Sequence, residues 1–186
     1  MVTKENFDSL RNELSVKAKN GIDFILAASI IWMSIAFLWT LNVSSYNKSI
    51  LTFIVGGFML PLAFLFSKIL KTNWKNKDNP LEPLGLWLNF AQLFYFPFLV
   101  FILLKMPDYF IMVYAIITGG HFFPYSWYYK TPWFAIFAGL IVAGALYLGL
   151  ILPVEKMYLL PLSMSLSLMV LTVLLWIDAK KKANKQ

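Results

Sequence analysis

A chain of 186 residues that is 60% hydrophobic and only 13% charged is too apolar to be a soluble domain of that size. Cysteine is absent, which excludes disulfides, thiol nucleophiles and thiolate-bound metals. The net charge of +7 raises the question of nucleic acid, but no basic segment is long enough to form a domain that could bind it.

In chain order, residues 1–20 read as a cytoplasmic amphipathic segment. Thr3 is a fitting N-cap, and Phe7, Leu10, Leu14 and Ala18 recur at three- and four-residue spacing on one face. Glu5, Asp8, Arg11 and Glu13 take the other face, so the segment is expected to lie on the membrane surface. Six apolar runs follow, at about 21–41, 49–69, 84–104, 109–129, 133–152 and 158–177. Each is long enough to span as a helix, the form in which backbone groups in lipid bond internally. The first is too long for the apolar part of a signal peptide and no small-residue cleavage site follows it, so it is expected to be retained. Residues 178–186 form a basic tail. The expected fold is all-α: a polytopic membrane bundle of six helices with an N-terminal interfacial helix, in one membrane domain over 1–186.

The basic residues set the orientation. Thirteen fall before the first run, between the second and third, between the fourth and fifth, or after the sixth; only Lys48, Lys105 and Lys156 fall on the other side. By the positive-inside rule both termini are cytoplasmic, and the membrane is the cell membrane. The lysines also favour anionic lipid headgroups, so membrane lipids are expected partners and nucleic acid is not. Trp74, Trp87, Trp127, Tyr128, Tyr129, Trp133 and Trp176 crowd the cytoplasmic ends, as an interfacial aromatic belt does.

Two helices invite kinks. Gly56, Gly57 and Pro61 in the second run are echoed by Gly119, Gly120 and Pro124 in the fourth. Each proline removes a backbone donor, and neighbouring helices can satisfy the freed carbonyl. Such kinks border transport sites in some proteins and serve as packing devices in others. The echo rests on three residues, a match that chance supplies in Gly- and Phe-rich helices.

His121 is the only histidine, and counting along the helix places it slightly to the cytoplasmic side of the midplane. Asn89 and Gln92 on the third run reach a similar depth, with Tyr95, Tyr114 and Thr118 near the same level. Unpaired polar groups at that depth are costly, so this set should face the bundle interior. Its chemistry admits a ligand or proton site facing the cytoplasm, or hydrogen bonds that only tie two helices together. Asp23 and Glu82 stand where helices begin, at the cytoplasmic rim. Favourable placement against the helix dipole explains them, or together they form an acidic mouth beneath His121. One histidine without a second ligand makes a poor metal site, and no cofactor motif occurs. In the fifth run Ala135, Gly139 and Ala143 repeat at four-residue spacing, a surface suited to close helix contact inside the bundle or in a homo-oligomer.

The stretches Asn20-Gly-Ile-Asp-Phe24, Pro83-Leu-Gly-Leu-Trp-Leu-Asn-Phe-Ala-Gln92 and Gly119-Gly-His-Phe-Phe-Pro-Tyr125 resemble an uncharacterised family of small six-helix membrane proteins from bacilli and related Gram-positive bacteria. The resemblance implies a membrane location over nearly the whole chain and implies no activity. Three classes of function stay open: a carrier or binding protein for a small molecule or lipid around His121, a non-catalytic accessory or structural membrane protein, and an intramembrane lipid-modifying enzyme. The last lacks a convincing nucleophile and base.

Overall fold

The computed structural model describes residues 4–184, so Thr3 and its expected cap lie outside the described residues. Those residues form helices and connecting turns, with no strand. The helices are α1 (Lys4–Lys17), α2 (Ile22–Trp39), α3 (Ser45–Gly56), α4 (Met59–Leu70), α5 (Glu82–Leu93), α6 (Phe96–Lys105), α7 (Phe110–His121), α8 (Phe123–Tyr128), α9 (Trp133–Ile151) and α10 (Leu159–Ala183).

Five stretches are long and apolar enough to cross a membrane: Lys19–Trp39, Ser45–Leu70, Glu82–Lys105, Trp133–Ile151 and Val154–Ala183. The fourth run of the sequence, now α7 and α8, is not among them. Its lower half carries Gly119, Gly120, His121, Pro124, Tyr125 and Ser126, which dilute its apolar character.

Helix α2 is the axis of the bundle, with Ala27 and Ile35 wholly buried. It packs along α10 on one side and against α3 and α4 on another, while α7 packs on α9. The α5–α6 stretch is peripheral: only Leu99, Ile102 and Leu103 of it are buried. At the turn between α2 and α3, buried Lys48 donates to the Trp39 carbonyl at 3.0 Å, satisfying a carbonyl orphaned at the end of α2. The Trp39 indole in turn donates to Thr52 at 3.0 Å, locking α2 to α3.

Three consecutive runs are broken near prolines. The interruptions fall at Gly57–Phe58, Phe94–Tyr95 and Phe122, followed by Pro61, Pro97 and Pro124 near the start of the next helical piece. The middle break has no glycine pair, so proline is the common element. Within each pair the two glycines differ. A methyl group on Gly56 would stand 3.1 Å from the Tyr114 hydroxyl, and one on Gly119 would stand 2.5 Å from Ile141 of α9. One on Gly120 meets nothing, and one on Gly57 meets only its own helix's carbonyls. The first glycine of each pair therefore permits close packing.

The basic end of the bundle is tied across. Helix α1 turns into α2 through Lys19, Asn20 and Gly21, all left-handed at φ 46°, 57° and 70°. Asparagine and glycine tolerate that conformation, and it reverses the chain within three residues. Buried Asn20 donates to the Leu175 carbonyl at 3.0 Å and to Asp178 at 2.9 Å, and accepts from Ser15. Lys182 completes the group by bonding Ser15, Asp178 and the Tyr129 carbonyl. Phe7 packs on Trp127, Leu14 joins the core, and Arg11 donates to the Trp127 carbonyl at 2.6 Å. The apolar face of α1 is thus used against the protein itself. Residues 71–81 fold over the same end, where Asn79 donates to the Leu10 carbonyl and Glu13, both at 2.9 Å.

Candidate functional site

Helices α5 and α8–α7 run antiparallel, and their facing side chains alternate in a regular order. Nearest the basic end, the Tyr128 hydroxyl donates to the Glu82 carbonyl at 3.3 Å. Next, the Tyr125 hydroxyl donates to the Gly85 carbonyl at 3.2 Å. Asn89 donates to the same carbonyl at 3.0 Å and lies within hydrogen-bonding reach of Tyr125. Gly85 is needed here, because a methyl group there would stand 2.8 Å from the Tyr128 oxygen. Towards the other end, Tyr114 meets Phe96 edge-on at 6.5 Å between ring centres.

Two levels remain between these pairs. By the register of those contacts, Asn89 of α5 stands level with His121 of α7, and Gln92, one turn further along α5, stands level with Thr118. Gln92 and His121 are half-buried, and neither makes a hydrogen bond among the described residues. The His121 ring rests edge-on against Tyr125 at 5.3 Å and near Phe122 at 6.2 Å. One turn away, the Thr118 hydroxyl is buried without a partner. Buried and half-buried polar groups without partners thus gather on this face of the two helices.

The family's sequence pattern matches residues 7–178. The chain belongs to DUF7010, a family of unknown function. No curated protein and no solved structure matches it.

Of the residues singled out in the sequence, the fold brings His121, Asn89, Gln92 and Tyr114 onto the two facing helices. Tyr95 is not among them; it sits at the break in the third run, 59% exposed on the periphery. Asp23 is no rim acid. It is wholly buried, accepting hydrogen bonds from the Thr72 hydroxyl, the Trp74 indole and the Phe24 amide. Glu82 stays half-buried in the first turn of α5, so the two acids do not frame a common mouth. Nor does the basic end open onto His121, because the Tyr125–Gly85 and Tyr128–Glu82 bonds join α8 to α5 beneath it. Two cavities lie elsewhere. One of about 150 Å³ sits among Ala115, Leu140, Gly144, Leu148, Ser163 and Ser167; one of about 400 Å³ lies against Trp87, Phe90, Leu93 and Phe94.

Sequence reading missed Tyr125, the residue that joins Asn89 to His121. It falls in a cluster of aromatics near a helix end, beside the belt residues Trp127, Tyr128 and Tyr129. Its spacing of four from His121 was the available signal, since residues four apart share a helix face.

Proposed function

We propose that this chain is a six-span protein of the cell membrane, with both termini cytoplasmic, that binds a small molecule or lipid beside His121. The observation that carries the reading is the group His121, Gln92 and Thr118 on two facing helices, polar side chains that make no hydrogen bond among the described residues. The breaks in the second, third and fourth runs lie on the stretches around it, and interrupted helices border the binding sites of carriers. Three observations support the topology. The basic residues gather at one end, the outer turns are short, and 110–128 runs from the Lys105 end back to Trp127, which meets α1. Native mass spectrometry of the detergent-extracted protein tests the binding reading. A discrete bound mass is expected in the wild type and lost in His121→Ala.

A second reading has its own observation. Gly139 and Ala143 of α9 are exposed, and a methyl group on Gly139 would meet nothing within 4 Å. The small face of α9, with Ala135, thus points away from the bundle, and it supports a non-catalytic accessory protein that assembles as a homo-oligomer. Crosslinking in native membranes, with Gly139→Leu as the control, tests it.

A further inference from the structure

We infer that the occupant of the level spanned by His121, Gln92 and the unpartnered Thr118 hydroxyl is an uncharged lipid with a small polar head of hydroxyl or carbonyl groups, admitted sideways from the bilayer between α4 and α5. The inference rests on the binding reading above and adds the ligand class and the route.

Charge decides the class. No permanently charged residue occurs in 24–47, 49–67, 84–104 or 109–129, the stretches that line or flank this level. Lys68, the nearest cation along α4, is exposed and lies over the Phe64 ring at 4.9 Å. An ionised head would enter this level without a counter-ion, at a cost that excludes it. Gln92 offers a donor and an acceptor, and neutral imidazole offers one of each, which suits a hydroxyl or a carbonyl. Depth agrees, because a phospholipid head anchored at the interface does not reach near-midplane residues, whereas a head of one or two oxygens does.

Packing decides the route. Helix α4 packs on α2, and α5 packs on α7 and α8, but α4 and α5 make no substantial contact with one another. The bundle is therefore parted towards lipid on that side, while the path from the basic end is crossed by the Tyr125 and Tyr128 bonds. The walls above and below the level are aromatic: Tyr114, Phe96 and Phe53 on one side and Tyr125 on the other. A lipid tail or ring packs on such walls.

The full chain in phosphatidylcholine nanodiscs is titrated with decylubiquinone, dioleoylglycerol or dioleoylphosphatidylglycerol, and retained lipid is read by native mass spectrometry. Wild type, Gln92→Leu and His121→Ala are compared; Gln92 is half-buried and without partners, so its replacement leaves the fold intact. The expected result is retention of one neutral probe by the wild type, with affinity falling about fivefold in Gln92→Leu, the worth of one hydrogen bond. Which neutral probe is held distinguishes a quinone from a glycerolipid source. A charged or water-soluble species that is lost in His121→Ala keeps the site but overturns the ligand class. Neutral lipid held equally by all three proteins overturns the inference, since it then only coats the surface. No retained species in any protein, with all three equally stable, overturns the binding reading as well.

Discussion

The carboxylate of Asp23 is wholly buried and accepts a hydrogen bond from the indole of Trp74, 51 residues further along the chain. A carboxylate inside a protein is tolerated only when donors surround it, and here Thr72 and the Phe24 amide supply the rest. The polar segment after α4 is thereby fastened to the first turn of the central helix. Trp74→Phe removes one donor and leaves the acid under-satisfied. Unfolding in detergent should show a loss of about 1–3 kcal/mol, larger than for Trp87→Phe on the exposed face of α5.

Asn20 is the second fastening at this end. Asn20→Ala forfeits the bonds to Ser15, Leu175 and Asp178 and also places a methyl-bearing residue at φ 57°. A loss of about 2–4 kcal/mol is expected in the same assay. Asn20→Gly loses the bonds but relieves the backbone, so it should be the milder change.

The five stretches long and apolar enough to cross a membrane were legible in the sequence, because an apolar run of about twenty residues has one stable form in lipid. The run over 109–129 was legible as a run but is the least apolar, since it carries His121, the glycine pair and the polar side chains of the site. The break before Pro97 was passed over because Phe96-Pro-Phe98 sits in the middle of an apolar run with no glycine beside it. Asp23 read as a rim acid because its partners, Thr72 and Trp74, belong to a polar loop whose return path no periodicity encodes. The basic end likewise looked open, because the pairing of Tyr125 with Gly85 depends on the register between two helices. That register is set by packing, not by either helix alone.

Gly119 tests whether α7 and α9 approach as closely as the fold describes. A methyl group there meets the branched, buried Ile141, which has little room to yield. Gly119→Ala should cost about 1–3 kcal/mol, while Gly120→Ala, which meets nothing, should be neutral or slightly stabilising. Paired melting curves check the difference.

Helix α1 should loosen in acid. Hydrogen bonds accepted from Lys17 and Asn79 hold Glu13 below its ordinary pKa of 4.5. Its folded value is depressed, so its contribution is present above that ordinary value and is lost as pH falls through the folded one. Hydrogen exchange in residues 4–17 should quicken as the pH falls below that ordinary value, and Glu13→Gln should flatten that dependence.

The central claim is that His121 belongs to a binding site. Native mass spectrometry of the extracted wild type beside His121→Ala tests it most directly. The account predicts a discrete bound mass on the wild type that the variant lacks, with both proteins folded. A bare wild type, and a variant that differs only in melting at lower temperature, would contradict it and leave His121 as a packing residue.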